Sequence, residues 1–268
     1  MAEETQLTAK TGITTISTAN VKLDGSGTLG NVITAASPGT IIKKVFIKAQ
    51  TNTTRGMIRL FVFDGSNTRL LLEIDVLPVT KSGTNPSYQT VVELNFHLKE
   101  GYILKASTQN AETFNIIAEC VDWSYYATSV RADTTQFKTE LTNNTISTAN
   151  ANLDGTGALG QVFVTGGSGT YKGCIVDLLA IKSDQNVTSG MIRVFIDNTS
   201  SYTLLTEIPV KTTTKSGIDK SFDSFLFEHE LAFDQGFYLQ AGYQLYASTQ
   251  NAETFLVTGI GRNYNYAS

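Results

Sequence analysis

The chain has 268 residues, of which 41% are hydrophobic and only 16% charged, and its formal net charge is −4. This length suits two domains of ordinary size, and the composition is that of a globular protein. An acidic chain with few charges lacks the basic surface that nucleic acids require, so no nucleic-acid partner is expected. No run of about 18 apolar residues is present, so no membrane-spanning helix is predicted.

Two segments of the chain are identical over nine residues, because Ala-Ser-Thr-Gln-Asn-Ala-Glu-Thr-Phe occurs at 106–114 and again at 247–255. Ile-Ser-Thr-Ala-Asn, Leu-Asp-Gly-x-Gly and Gly-Met-Ile-Arg also occur twice, at offsets of 130, 130 and 134 positions. This pattern indicates an internal duplication and predicts two tandem domains, at residues 1–130 and 131–268. The rise of the offset to 141 predicts four extra residues in the second copy between positions 40 and 56, and seven between 83 and 98.

The start of the chain and the cysteines indicate where the protein is made. Residues 1–4 are acidic and lack an apolar region, so we predict no signal peptide and synthesis in a cytoplasm. Cys120 and Cys174 lie at non-equivalent places in the two copies. A disulfide would have been duplicated with its domain, so both are predicted to be buried, reduced thiols.

An aspartate between glycines recurs early in each copy, as Asp24 and Asp154 within Leu-Asp-Gly-x-Gly. Two glycines beside Asp permit a tight turn with positive φ, which is the favoured interpretation. A Ca²⁺ loop is the alternative. Because Ca²⁺ takes six to eight oxygen ligands and only one carboxylate is present, no metal is predicted.

The predicted elements within a copy are all β-strands. Runs rich in Val, Ile, Leu, Phe and Thr are bounded by Gly, Asn, Ser or Pro, as is typical of strands and turns. In the first copy they lie at residues 40–49, 57–63, 70–76, 88–98, 102–107 and 113–125. The best helical candidate is one turn near 110–112. Seven or eight strands in about 125 residues predict an all-β fold, with two tandem antiparallel β-sandwich domains of jelly-roll type.

The run 57–63 has large side chains on both faces. Alternate residues of a strand point to opposite sides, so Arg59 and Phe61 share one face while Ile58 and Leu60 share the other. This arrangement predicts a strand that is covered on both faces.

No recognisable catalytic constellation is present. The histidines, His97 and His229, do not correspond between copies and lack zinc-ligand spacing. The repeated carboxylates are Glu73, Glu207, Glu112 and Glu253. A pair that cleaves a glycoside must lie about 5 to 10 Å apart, and duplication alone explains their recurrence. Glu112 is predicted to accept backbone N–H bonds beside the turn at 110–111. We therefore predict no enzyme activity and no cofactor.

The ends of both copies are rich in aromatic residues. Trp123, Tyr125 and Tyr126 end the first copy, and Tyr264 and Tyr266 end the second. Tyr and Trp combine a large apolar area with a polar tip, which suits interfaces and stacking on sugars. Two interpretations stay open: these residues form a candidate interaction surface, or they close the open end of a sandwich. Because aromatic and polar residues alternate in both copies, an edge strand with one covered face is expected.

The segment 101–119, Gly-Tyr-Ile-Leu-Lys-Ala-Ser-Thr-Gln-Asn-Ala-Glu-Thr-Phe-Asn-Ile-Ile-Ala-Glu, resembles a segment of structural proteins of tailed bacteriophages. The resemblance brings no active-site residues with it. It implies a virion component with jelly-roll-like domains, such as a capsid decoration protein, a head-fibre base, or a tail or neck accessory.

These observations favour a non-enzymatic virion structural protein that binds a capsid or tail surface and acts as a homo-oligomer. Its partners would be other virion proteins, and unpaired strand edges would suit such contacts. The alternative is a tandem carbohydrate-binding, lectin-like module that contacts a glycan during host attachment. A glycan-cleaving enzyme that uses Glu112 and Glu253 is the third hypothesis.

Overall fold

The structure is a computed structural model that describes residues 4–37, 39–126, 135–165, 172–183, 185–214, 222–226 and 236–266. The chain divides into two compact units. The first consists mainly of residues 1–81 and 87–132, and the second of residues 133–267 with 82–86. The predicted boundary between residues 130 and 131 lies outside the described residues.

The first unit contains eight strands in two antiparallel four-stranded sheets. They are β1 (Glu4–Ile16), β2 (Gly30–Thr34), β3 (Gly39–Ala49), β4 (Gly56–Phe63), β5 (Thr68–Val76), β6 (Gln89–Lys99), β7 (Ile103–Thr108) and β8 (Phe114–Tyr126). One sheet has the order β1-β8-β3-β6 and the other β2-β7-β4-β5. Consecutive strands alternate between the sheets except for the β4–β5 hairpin, which is the strand order of a jelly roll. The predicted all-β sandwich is confirmed.

The second unit repeats this order. Its strands are β9 (Thr135–Ile146), β10 (Gly160–Val164), β11 (Gly173–Lys182), β12 (Gly190–Asp197), β13 (Tyr202–Val210), β14 (Asp223–Leu226), β15 (Phe237–Leu239), β16 (Gln244–Thr249) and β17 (Phe255–Tyr266). The sheets run β14-β11-β17-β9 and β10-β16-β12-β13. β15 also pairs with β11, so β14 and β15 together occupy the place of β6.

The core of the first unit lies between its two sheets. Ile42, Val45 and Ile47 of β3 meet Ile58 and Leu60 of β4, and all five are at most 1% exposed. They alternate with residues that point away from this core, as a strand requires.

The outer face of β4 is covered as well, because Arg59 is 6% and Phe61 0% exposed. The prediction that this strand is buried on both sides is confirmed. The outer face of a jelly-roll sheet is normally open to solvent. Here Arg59 on this face has polar contacts with a loop, an edge strand and a turn.

The structure shows where the two predicted insertions of the second copy lie. The position predicted for the four-residue insertion is wrong, and the seven-residue insertion lies within its predicted range. Gly39 lies opposite Trp123, and Gly173 lies opposite Tyr264, so the offset is already 134 at the start of β3 and β11. The four extra residues therefore precede position 39, where the sequence matches are too sparse to show them. The pairing of β3 with β6 shifts register between Ile42 and Lys44. The seven extra residues fall at the corresponding place in the second unit, where the separate strands β14 and β15 replace β6.

Two further differences concern local structure. The candidate helical turn is absent, because Glu112 N–H donates to the Asn110 carbonyl (2.8 Å), which closes a three-residue turn. The predicted runs also omit β1 and β2. β1 is rich in Thr and poor in large apolar residues, and its pairing with β8 along its whole length makes it a strand. Tertiary pairing outweighs weak local propensity here.

The aromatic residue that ends the repeated nonapeptide provides a test of the core. Phe114 and Phe255 are both fully buried. We expect Phe114→Ala or Phe255→Ala to lower the free energy of unfolding of its own unit by about 3–5 kcal/mol through loss of burial and a residual cavity. Urea titration followed by tryptophan fluorescence and circular dichroism measures this. Leu71→Ala, at a 41% exposed position of β5, is the control with little effect. A loss below about 1 kcal/mol for both phenylalanine variants would contradict the described core.

Candidate functional site

The predicted aromatic surface lies at the C-terminal ends of two strands. Trp123, Tyr125 and Tyr126 belong to β8, and Tyr264 and Tyr266 belong to β17. The expectation of an edge strand is wrong: β8 lies between β1 and β3, and β17 between β9 and β11. The side chains of these five residues lie outside the described part of the structure, so their role as an interaction surface stays a prediction.

The repeated sequence motifs meet around one buried arginine in each unit. In the first unit, Arg59 donates from Nε to Glu73 Oε1 (2.9 Å), from one terminal nitrogen to the Asn20 carbonyl (3.1 Å), and from the other to Gln109 Oε1 (3.4 Å). These partners come from the β1–β2 loop, β5 and the β7–β8 turn. A guanidinium carries five N–H donors and a permanent charge, so its burial requires such partners.

The second unit has the same contacts. Arg193 donates to Glu207 Oε1 (3.1 Å), the Asn150 carbonyl (3.2 Å) and Gln250 Oε1 (3.2 Å). Burial lowers the pKa of Arg193, and the Glu207 carboxylate acts in the opposite direction. We call each such group, an arginine with its Asn, Glu and Gln partners, an arginine network.

The asparagine of each network also holds the loop that covers it. Asn20 Nδ2 donates to the carbonyls of Ser26 (2.9 Å) and Thr28 (3.0 Å), and Asn20 Oδ1 accepts from Lys22 N–H (3.0 Å). Gly27 has φ of +83°, and a Cβ there would lie 2.9 Å from the Asn20 amide. The Leu-Asp-Gly-x-Gly motif is therefore a turn that lets the chain fold back over Asn20, as the favoured interpretation predicts.

Aspartate side chains fix the turn from the other side. Asp24 Oδ1 accepts from Ser26 Oγ (2.7 Å) and Ser26 N–H (2.9 Å), and these two bonds lower the pKa of Asp24. Asp154 has the same contacts with Thr156 and the same direction of pKa shift. Within the described residues, no group of three or more His, Cys, Asp or Glu side chains is arranged to hold a metal.

The identical nonapeptide forms a clamp on the loop before β4. Glu112 Oε1 accepts from Thr54 N–H (2.7 Å) and Thr54 Oγ1 (2.6 Å), and Asn110 Nδ2 donates to Thr54 Oγ1 (2.9 Å). Glu253 and Asn251 make the same bonds to Thr188. The predicted acceptor role of Glu112 is right in kind, but its donor is 58 positions away and not in its own turn.

The clamp also explains a repeated glycine. A Cβ at Gly56 would lie 2.7 Å from Asn110 Nδ2, and one at Gly190 would lie 2.8 Å from Asn251 Nδ2. All four repeated carboxylates, Glu73, Glu207, Glu112 and Glu253, thus hold structural partners. Of the histidines, His97 is exposed on β6, and His229 lies outside the described residues.

Both cysteines are buried free thiols, as predicted. Burial is the main cause that raises the pKa of Cys120 well above its ordinary value, and the negative charge of Glu119 is the second. The raised pKa disfavours the reactive thiolate. In the described part of the chain, no helix has the length and apolar character needed to cross a membrane.

The two units differ at the far end of the same outer sheet face. In the second unit this end carries two tyrosines, two glutamines and an aspartate: Gln161, Asp197, Tyr202, Gln244 and Tyr246, which we call the Tyr/Gln patch. Tyr246 lies opposite Gln161 and Phe195, while Asp197 lies opposite Gln244 and Tyr202. Directly opposed residues of antiparallel strands share a face, so these side chains are neighbours.

The patch is held in place by contacts among its members. The Tyr202 and Tyr246 rings meet edge to face, with centroids 5.0 Å apart at 80°. Gln161 Nε2 donates to Gln244 Oε1 and to Tyr246 Oη (3.3 Å), and Tyr246 Oη donates to Gln244 Oε1 (3.2 Å). Burial, with Tyr246 and Asp197 nearby, raises the pKa of Tyr202.

The first unit has different chemistry at the equivalent place. Thr68 takes the position of Tyr202, and Lys105 that of Tyr246. Lys105 Nζ lies 4.4 Å from the centroid of the Phe63 ring, which is a cation–π contact. Alignment of the two copies in register reveals this difference in the sequence, whereas the residues that the copies share do not.

Comparison with known proteins identifies no family for this chain. No family model matches the sequence, and no curated protein is recognisably similar to it. STIV MCP aligns over 97% of this chain and 98% of its own, at 10% identity and a TM-score of 0.29. The major capsid protein P2 of bacteriophage PM2 aligns over the same shares, at 10% identity and 0.21. A fucolectin from striped bass (Morone saxatilis) serum aligns over 97% of each chain, at 7% identity and 0.23. Scores this low carry no functional argument.

The two arginine networks predict unequal effects of the same substitution. The Glu207 side chain is 3% exposed, while that of Glu73 is 39% exposed. Glu207→Ala leaves a buried guanidinium without its counter-charge and is expected to cost about 3–5 kcal/mol of stability. Glu73→Ala is expected to cost less, because the Glu73 side is open enough for water to replace the carboxylate beside Arg59. Urea unfolding measures both, and Glu207→Gln, which keeps the acceptor oxygen, is the control with a smaller loss. Equal costs at the two sites would contradict the difference in burial.

The Asp24 turn predicts a specific pKa response. Removal of the Ser26 hydroxyl in Ser26→Ala is expected to raise the pKa of Asp24 toward its ordinary value, since that bond is the main cause of the depression. A carboxyl whose pKa is lower in the folded state stabilises the fold above its unfolded pKa, and this contribution is lost as the pH falls through the folded pKa. NMR titration of the Asp24 carboxyl in wild type and variant measures the shift. An unchanged Asp24 pKa in the variant would contradict the assignment, and Asp154 is the internal control.

Proposed function

We propose that this protein is a non-enzymatic virion structural protein that binds a capsid or tail surface and acts as a homo-oligomer. One observation carries the proposal: the polar residues kept identical between the copies stabilise the fold. The arginine networks, the turns at Asp24 and Asp154, and the clamps on Thr54 and Thr188 use these residues as structural partners. The duplication has thus preserved a scaffold, which suits a protein whose work is adhesion between macromolecules.

The first unit offers an apolar surface for such adhesion. Leu70 and Leu71 of the edge strand β5 are 37% and 41% exposed, and Val91 of the edge strand β6 is 49% exposed. Edge strands with exposed apolar side chains are sites where another chain can pair or pack. The resemblance of residues 101–119 to structural proteins of tailed bacteriophages supports a particle surface as the partner. The virion is accordingly the proposed location, with synthesis in the host cytoplasm and no cofactor.

Purified particles provide the direct test. We expect the protein in wild-type virions at a fixed ratio to the main capsid protein, and cryo-electron microscopy should show density that is missing from particles of a gene deletion. Purified protein added to the deletion particles should co-sediment with them. Leu71→Lys in the β5 edge should weaken co-sedimentation, while Ser200→Lys, which adds the same charge at an exposed polar position of the second unit, should not. Wild-type particles that lack the protein would refute the proposal.

The oligomeric state is tested separately. The chain has a mass of 29.0 kDa, so sedimentation equilibrium distinguishes a monomer from its multiples. We expect a concentration-dependent oligomer that Leu71→Lys weakens. A chain that stays monomeric in solution and on the particle would contradict the proposed homo-oligomer. It would leave the proposed binding to a particle unaffected.

A carbohydrate-binding module used in host attachment is the second candidate function. The observation that favours it is the Tyr/Gln patch, which combines aromatic rings with amides. The terminal aromatics named in the sequence, from Trp123 to Tyr266, contribute nothing to this argument because their side chains lie outside the described residues.

A further inference from the structure

We propose that the second unit binds one neutral saccharide at the Tyr/Gln patch and that the first unit has no such site. This proposal rests on the second candidate function and deepens it, and it is independent of adhesion to a particle, because the patch lies in the second unit while Leu70, Leu71 and Val91 lie in the first. A virion protein can therefore have both properties, or either one alone.

Tyr202 is held in place before any ligand binds. Tyr202 is 37% exposed, yet its ring is packed against Tyr246, and a Cβ at Gly155 would collide with the Tyr202 Cβ. The repeated Leu-Asp-Gly turn thus supports Tyr202 from one side and Tyr246 supports it from the other. An aromatic ring that is fixed before binding loses little conformational freedom on binding, so its contact energy is retained.

The polar groups of the patch match the hydroxyl groups of a sugar. The bonds within the patch use the Gln161 amide as donor and the Gln244 carbonyl as acceptor. Each glutamine has two N–H donors and two acceptor lone pairs, so the Gln244 N–H groups and the Gln161 carbonyl remain for a ligand. Asp197 adds a carboxylate. Its Oδ1 accepts one hydrogen bond, from Thr199 N–H (2.8 Å). Hydroxyl groups, which both donate and accept, are the complement of this set.

The charge and size of the patch favour a small neutral ligand. The patch contains one carboxylate and no cation, so an anionic ligand would be repelled. Five side chains, of which only Tyr202 is classed as exposed, offer far less than the roughly 800 Å² per partner of a stable protein interface. A sugar ring fits this scale, because it places C–H groups on an aromatic surface and hydroxyls at its rim.

The first unit lacks the aromatic surface that the patch offers. The first unit replaces the two tyrosines with Thr68 and Lys105, and the Lys105 ammonium lies over the Phe63 ring. That cation covers an aromatic face and offers no flat surface to a sugar. Binding should therefore saturate at one saccharide per chain.

A neutral glycan array followed by calorimetry tests the proposal with the full chain. We expect binding of at least one neutral glycan with one site per chain, weakened about tenfold or more by Tyr202→Ala and by Gln244→Ala. Thr68→Ala, at the matched position of the first unit, should leave affinity unchanged. Circular dichroism and thermal unfolding check that each variant is folded, and Tyr202→Phe, which keeps the ring, should retain most of the affinity.

Three outcomes would overturn the proposal. They are no binding of any neutral glycan at millimolar concentration, binding that folded Tyr202→Ala and Gln244→Ala leave intact, and two sites per chain. If the patch variants lose co-sedimentation with particles and no glycan binds, the patch is a protein interface and the saccharide proposal is wrong. If glycan binding is found while co-sedimentation fails, the particle-binding role falls and the saccharide site stands.

Discussion

Each unit buries one guanidinium on the outer face of a sheet, and much of the repeated sequence serves that burial. Arg59 and Arg193 are 6% and 4% exposed. An arginine cannot lose its charge inside a protein, so the cost of its desolvation is offset only where its N–H donors meet acceptors. The acceptors come from a loop, an edge strand and a turn that are distant in sequence. Satisfying them ties three segments together and places a cover on the outer sheet face.

This arrangement changes the meaning of the sequence identity between the copies. Identical residues at equivalent places suggest a shared active site, but Asn20, Gln109 and Glu112 are needed to hold an arginine or a loop. Every member of such a network is required, because a buried charge that loses one of its partners retains a desolvation cost that nothing offsets. The ligand chemistry of a duplicated scaffold is consequently sought where the copies differ.

The copies also differ in how much of the same architecture they expose. Leu70 and Leu71 on β5 are partly exposed, while the corresponding Leu204 and Leu205 on β13 are 0% and 3% exposed. The Tyr/Gln patch exists only in the second unit, and Lys105 stands in its place in the first. One chain thus presents two different surfaces on one strand order.

The sequence by itself determined the duplication, the all-β class and most strand positions, because exact repeats and the two-residue alternation of strands are local signals. It also showed that Arg59 would lie on a covered face. Only the tertiary structure decided what covers that face, that β1 is a strand, and that Glu112 holds Thr54 and not its own turn. These depend on contacts between residues tens of positions apart, and nothing in a local pattern encodes which partner a buried donor will find. The Tyr/Gln patch belongs to the same class, since register across four strands brings Gln161, Tyr202 and Tyr246 together.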